Sequence, residues 1–240
     1  MNGFINKEIL KNLSEKYSVN LNEQAIERFD IYAKMLVSWN EKVNLTAIVE
    51  PDEIVVKHFV DSLTIFHALD IPKGSKVIDV GTGAGFPGVA MLIARPDLKL
   101  TLLDSTGKKL NVIADILSNI GLEAQLLHAR AEEAARKKEY REQFDFATAR
   151  AVANLRDLSE YCLPFIKKDG FFVSMKSAKA QEEIEGAKKA INILGGEISG
   201  IESFELEGAG ERNIIITKKI SHTSTKYPRP SAKIAKNPLI

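Results

Sequence analysis

The sequence predicts an α/β fold: a mostly parallel sheet with helices on both faces, an antiparallel C-terminal edge and a helical lead-in. Three observations predict it. A short apolar run, Lys76–Val80, ends beside three alternating glycines, Gly81, Gly83 and Gly85, and an apolar helix follows with Pro87 set for its first position. From Lys76 onward, apolar runs alternate with amphipathic segments, the pattern of a parallel sheet with crossover helices. Before Lys76 the patterned segments all carry helical spacing.

Each element has a local reason. Ile5, Ile9, Leu13 and Tyr17 recur at helical intervals. Asn22 is a good N-cap for a second helix, flanked by Leu21 and Ile26 as a hydrophobic staple and ending near Trp39-Asn40. A third helical region opens at Glu50-Pro51-Asp52-Glu53, acids near the positive helix end, and continues with a break through His58 to Leu69. After the first strand and its helix to about Ala94, strands are predicted at 98–104, 124–128, 144–148 and 170–176. Helices are predicted at 108–120, ending at Gly121, after Arg130, from about 155 to 165, and at 180–194. Two last apolar runs, 198–206 and 213–217, lie close enough to pair antiparallel. The expected divisions are a helical subdomain at 1–75, a nucleotide-binding domain at 76–219 and a basic tail at 220–240. The tail shows neither periodicity nor a core, and is expected to add affinity for a polyanion and little to folding.

Composition narrows the classes. The chain has 240 residues, is 45% hydrophobic, carries a net charge of +1 and contains one cysteine. That excludes an intramolecular disulfide framework and a cysteine-rich zinc site. Cys162 sits on the apolar side of its helix with Leu155, Leu158 and Phe165 and reads as core. No run is long enough to span a membrane, and the N-terminus is too polar for a secretory signal, so a cytoplasmic, metal-free protein, expected to be a monomer, is the reading. The charge is uneven. Residues 1–75 hold 8 Lys/Arg against 11 Asp/Glu, whereas 212–240 hold 7 Lys/Arg and no acid. A basic end suits nucleic acid.

Strand, glycine turn, helix is the frame of a nucleotide-binding βαβ unit. Gly83, Gly85 and Gly88 fit the dinucleotide pattern G-x-G-x-x-G, which alone is weak. Asp79, two positions before Gly81, is more informative. The arrangement D-x-G-x-G-x-G resembles the first motif of the class I S-adenosylmethionine methyltransferases. That resemblance implies a Rossmann-like sheet, S-adenosyl-L-methionine as cofactor, the glycine backbone facing its methionyl end, and Asp79 positioning that region. Asp104 ends the second strand, where a carboxylate can accept ribose hydroxyls or can cap the next helix. The dinucleotide and methyl-donor readings both want Asp104.

The acceptor is narrowed by what is missing. Methylation at cytosine C5 needs a cysteine nucleophile, and Cys162 is a poor candidate. Adenine amino methylation usually comes with an Asn/Asp-Pro-Pro-aromatic loop after the fourth strand, where this chain has Ala147-Thr-Ala-Arg-Ala151. Guanine N7 carries a free lone pair and no proton, so it needs positioning and no obligatory general base.

Seven stretches in order extend the resemblance to one family, the ribosomal small-subunit methyltransferase G family, also called glucose-inhibited division protein B. They are the runs 39–46, 58–63, 79–88, 102–105, 130–132, 149–152 and 175–176. The resemblance implies methyl transfer to N7 of one guanine in small-subunit ribosomal RNA, free or in the 30S particle. It implies that Gly81 and Phe86 contact the cofactor, Asp104 takes the ribose, Ala131 and Glu132 face the adenine, and Arg150 stands at the mouth. Arg130, Arg150, Lys176, Lys226, Arg229 and Lys233 are the RNA-binding candidates, with Arg150 and Lys176 as positioning residues. Ala129, Ser177 and the run Arg229-Pro-Ser-Ala-Lys233 depart from the family's usual residues. The rival readings are a nicotinamide-dependent oxidoreductase using Gly83, Gly85 and Gly88, and a non-catalytic ribosome-assembly factor. Bland alternatives stay open beside these: a structural ion pair for Arg150, a solvated lysine at 176, a first-turn helix acid at Glu132, a satisfied core histidine at 58, and packing beneath the Asn-Leu-Thr turn for Trp39.

Overall fold

The computed structural model describes residues 3–177 and 180–239. Helix α1 (Lys7–Lys16) is capped by Asn6, and α2 (Glu23–Asn40) by Asn22, whose side chain accepts the Ala25 N–H. The predicted break in the third helical region is a π-helical turn, Val55–Val60, between α3 (Pro51–Ile54) and α4 (Asp61–Leu63); α5 (Ile65–Ala68) follows. Strand and helix then alternate: β1 (Lys76–Val80), α6 (Gly88–Ala94), β2 (Lys99–Asp104), α7 (Gly107–Ile120), β3 (Gln125–His128), α8 (Ala131–Ala134), β4 (Phe144–Arg150) and α9 (Leu155–Cys162). A 3-10 turn, Leu163–Phe165, leads into β5 (Ile166–Lys176), and α10 (Ala180–Ile193), β6 (Gly196–Leu206), β7 (Gly210–Lys219) and α11 (Ser231–Lys236) complete the chain. Pro87 caps α6 instead of opening it, and Gly121 ends α7 in the left-handed region at φ 64°.

The sheet order is β3-β2-β1-β4-β5-β7-β6. Strands β1 to β5 pair in parallel, while β7 pairs antiparallel with both β5 and β6. The C-terminal hairpin thus supplies the antiparallel edge by folding its second strand inward. Strand order reverses direction between β1 and β4, so their C-terminal ends open the crevice where such sheets bind ligands.

Each face of the sheet carries its own core. On one, Phe29, Tyr32, Leu36 and Phe59 of the lead-in join Val89 of α6 and Ile113 of α7 in a single cluster. The helical lead-in is therefore the cover of that face, and not a body set apart from the sheet. On the other face α9 and α10 pack Leu155, Leu158, Ile184 and Ile191 against Ile78, Ala147 and Phe172, with Cys162 fully buried as a core residue.

The expectation of an unpacked basic tail is corrected. Arg229 donates through its backbone N–H and guanidinium to the Glu160 carboxylate, with contacts of 2.7–3.2 Å. Arg141 donates to the carbonyls of Thr223 and Tyr227, Arg136 to that of Pro228, and Ile234 is buried. The segment hides its anchors as single residues spaced along an irregular chain, a pattern with no period to read. Trp39 packs against the core of the lead-in face together with Val43 and Leu45, and its indole also donates to Asp115 of α7 at 2.8 Å. Asn40 organises the following turn.

Candidate functional site

A cleft of about 590 Å³ opens over the C-terminal ends of β1, β2 and β4. Its floor is the glycine loop. Gly81 N and Thr82 N donate to Leu103 O at 2.8 and 3.0 Å, which lashes the loop across β2. Gly81 and Gly83 hold φ values of +74° and +60°, where side chains with a Cβ are strained. A Cβ on Gly83 would meet only Gly81 O at 3.9 Å, so this glycine leaves bare backbone facing open space.

The other two glycines of the motif serve the protein itself. A Cβ on Gly85 would meet Tyr32 Oη at 2.6 Å, and one on Gly88 would meet Leu102 at 2.4 Å and Asp79 at 2.8 Å. These positions let α2 and β2 close on the loop. Tyr32, fully buried, donates to Ala84 O at 2.7 Å and stacks on Phe86 with ring centroids 5.2 Å apart. The lead-in therefore braces the loop directly.

Asp79 lies under the loop and does not line the cleft. Its Oδ2 accepts the Gly88 N–H at 2.9 Å, and its Oδ1 has no partner among the described residues. Complete burial raises its pKa to about 6, opposed first by the nearby Thr82 hydroxyl and then by the Gly88 N–H. Its contribution to any ligand is through the loop's shape.

Asp104, Ala131, Glu132, Gly81, Gly83, Phe86, Arg130 and Arg150 all line the cleft, as the sequence motifs placed them. Asp104 accepts Gly83 N at 2.9 Å through Oδ2 and Thr106 N at 2.8 Å through Oδ1. It therefore ties loop to helix, and each oxygen keeps a lone pair for a further donor. Glu132, in the first turn of α8, is buried and makes no hydrogen bond among the described residues.

At the opposite end stands a charged group that the sequence could not assemble. Arg150 donates to Asp61 Oδ2 at 2.8 Å and to Lys57 O at 3.2 Å, and lies over Phe86 at 5.0 Å. Arg212 donates to the other Asp61 oxygen at 2.7 Å. This is the ion-pair alternative for Arg150, and Asp61 and Arg212 are the partners the motifs did not assign. His58 stacks on Phe86 at 4.5 Å, and burial together with the nearby Arg150 lowers its pKa to about 4. Lys176 donates to Ala153 O at 2.5 Å and pairs with Glu183 at 2.8 Å, so it is engaged within the protein. Ala151, just past β4, adopts φ +56°, and the exposed Val152 leans over Gly81. Of the basic candidates, Arg130 stands exposed at the rim, Lys226 and Lys233 are exposed on the docked C-terminal segment, and Arg229 is held by Glu160. Ser231 of that segment lines the cleft, a contribution with no sequence signal.

The model of the rRNA small subunit methyltransferase G family matches residues 25–215. The ribosomal RNA small subunit methyltransferase G of Clostridium novyi is 46% identical over 235 residues, covering 97% of both chains. The chain belongs to the rRNA small subunit methyltransferase G family. The family member from Desulforamulus reducens is 42% identical over 232 residues, covering 96% of this chain and 97% of that one. The fold is shared more widely. A solved SAM-dependent O-methyltransferase from Thermotoga maritima superposes with a TM-score of 0.51 at 16% identity, covering 79% of this chain and 73% of that one. As a member of the methyltransferase G family, the protein is a methyltransferase of class I architecture. Among the described residues no helix is long and apolar enough to cross a membrane, and no group of three or more His, Cys, Asp or Glu is placed to hold a metal.

Proposed function

We propose that the protein transfers a methyl group from S-adenosyl-L-methionine to N7 of a guanine in small-subunit ribosomal RNA. The family match over nearly the whole chain supports the reaction class and the substrate. The observation that carries the choice of atom is the acceptor end of the cleft, where the described residues offer no side chain free to take a proton. Arg150 is paired, His58 is held between Thr46 and Arg150 with a pKa of about 4, and Lys176 is engaged. N7 presents a lone pair and needs none.

The cleft fits the cofactor. Its volume suits a nucleoside-sized ligand, Gly83 offers uncovered backbone, and two carboxylates line it, one at the end of β2 and one in the first turn of α8. Asp104 would hold the ribose, Ala131 and Glu132 the adenine side, and the Gly81–Gly83 backbone with Phe86 the methionyl end. When bound, S-adenosyl-L-methionine supplies an electrophilic methyl on its sulfonium. The protein's own part is alignment and exclusion of water. Asp61, shared by Arg150 and Arg212, offsets positive charge where the methylated base becomes cationic. Arg130, Lys226 and Lys233 are left to meet phosphates and fix the RNA without reading its sequence. With ribosomal RNA as the substrate, the proposed place of work is the cytoplasm, on free RNA or the 30S particle.

Two outcomes are expected. RNA carrying 7-deazaguanine at the target keeps pairing and shape but lacks the acceptor atom. It should receive no methyl at that base, and transfer there in a labelled-methyl assay would overturn the N7 assignment. Asp104→Ala should weaken cofactor binding by roughly 1.5–3 kcal/mol, the scale of a hydrogen bond to a charged group. Calorimetric titration of the cofactor and of nicotinamide dinucleotides checks this, and unchanged cofactor affinity would remove Asp104 from the site.

A further inference from the structure

The turn after α2 is held with unusual completeness for an exposed loop. Asn40 Oδ1 accepts the N–H groups of Leu45 and Thr46 at 2.8 and 3.0 Å, and Asn40 Nδ2 donates to Thr46 O at 2.9 Å. Thr46 is thereby fixed with its side chain at the cleft, beside His58 and Phe86. That end of the cleft is continuous with a second cavity of about 430 Å³, which shares His58, Arg150 and Ala151 with it. Asp104 ends β2 and Glu132 sits in the first turn of α8, and neither lines this second cavity. The junction is where an acceptor base reaches the methyl-donor cleft.

The Thr46 hydroxyl has a defined polarity. Oγ1 accepts the Ile48 N–H at 3.0 Å and lies 2.8 Å from His58 Nε2. The direction of the second contact follows from the other ring nitrogen. His58 Nδ1 lies 3.3 Å from Arg150 Nη2, and a guanidinium has donors only. Nδ1 is also 3.2 Å from Lys57 O, which receives Arg150 Nη1 at 3.2 Å and keeps a second lone pair, so a proton on Nδ1 would have an acceptor there as well as a cation facing it. A proton on Nδ1 would set two donors face to face beside a permanent cation, whereas a lone pair there is attracted to it. The full charge of Arg150 outweighs the partial charge of that carbonyl, which puts the proton on Nε2 and makes His58 the donor to Thr46. Burial keeps the ring neutral, so this is its single proton near neutral pH. With both lone pairs of Oγ1 filled, Thr46 has only its own proton left to offer.

We infer that Thr46 Oγ–H is a specificity donor for O6 of the target guanine. The inference rests on the guanine-N7 reading. Guanine shows two acceptors on that edge, N7 and O6, whereas adenine shows N7 beside an amino donor. A hydroxyl that can only donate, anchored by Asn40 and aimed by His58, accepts the first pattern and meets the second donor to donor. Asn40, His58 and Arg150 are positioning residues for it.

The test uses the full-length protein. Thr46→Val should lower kcat/KM for methyl transfer to RNA by about tenfold, the scale of one neutral hydrogen bond. Affinity for S-adenosylhomocysteine should stay unchanged, and Thr46→Ser should restore most of the activity. RNA with 2-aminopurine at the target keeps N7 and lacks O6, so wild type and Thr46→Val should methylate it equally. Nitrogen-15 NMR of the protein alone should show His58 protonated on Nε2. A proton on Nδ1 would overturn the inference, as would an equal penalty for Thr46→Val on guanine and 2-aminopurine. A comparable loss of S-adenosylhomocysteine affinity would assign the donor to the cofactor's carboxylate and overturn the O6 contact. Normal N7 transfer by Thr46→Val would overturn only the contact, whereas wild-type transfer to another atom would overturn the N7 reading and the contact together.

Discussion

Arg229→Ala should destabilise the protein by about 3–5 kcal/mol, the cost of leaving a buried carboxylate without its partner. Glu160 is 1% exposed, and Arg229 meets it through a backbone N–H and two guanidinium nitrogens. Removing the guanidinium strands that charge inside α9, beside the core that covers one face of the sheet. Thermal unfolding should then begin on the order of 10 °C lower, from the usual scaling for domains of this size. The double variant Arg229→Ala with Glu160→Ala should recover part of the loss, because the stranded charge goes with its partner. Truncation after Ile220 should be worse than either. It removes Thr223, which accepts from the buried Lys219 ammonium at 2.5 Å and donates to Leu194 O at 2.6 Å. A melting temperature near wild type in Arg229→Ala would show that the Arg229–Glu160 pair contributes nothing to the fold.

Gly83→Val should abolish cofactor binding while leaving the protein folded. A Cβ added there meets nothing nearer than Gly81 O at 3.9 Å, so the side chain starts in the open cleft instead of the core. The positive φ costs about 1–2 kcal/mol in stability. The loss of affinity should exceed roughly 100-fold, about 2.8 kcal/mol, since the branched side chain occupies ligand space. Gly74→Val separates the two effects. Gly74 has φ +75° with nothing within 4 Å, in the loop before β1 and outside the cleft. It should show the backbone penalty and bind the cofactor normally. Calorimetry with S-adenosyl-L-methionine beside thermal melts measures both. Equal affinity in the two variants would remove Gly83 from the site.

Much of the site could be read because it is built from local rules. A strand that ends on an acid, a glycine turn and an apolar helix are neighbours in sequence and in space, so Gly81, Gly83 and Phe86 came to the cleft together. Asp104 followed, because strand ends in a parallel sheet must share one edge, whereas Ala131 and Glu132 were named only through the family resemblance. Asp79 and Gly85 show where the pattern misleads. The motif contains them, yet one supports the loop from below and the other admits Tyr32. Sequence spacing says that a glycine is needed and does not say whether a ligand or a side chain fills the space.

By itself the sequence determined the sheet and its helices, the glycine cradle, the acids at the strand ends and the family. Those depend on periodicity and on short motifs, whose physics acts within a few residues. The tertiary structure decided which charges are spent inside the protein and which remain for a ligand. Arg150 finds Asp61 across 89 positions, Arg212 finds the same carboxylate across 151, and Arg229 finds Glu160 across 69. An exposed cation and a paired one have the same letter in a sequence, and burial of a carboxylate partner separates them. The polarity of the Thr46 hydroxyl belongs to the same class. It is set by a histidine twelve residues away, whose own proton is placed by an arginine from the far side of the sheet's switch point.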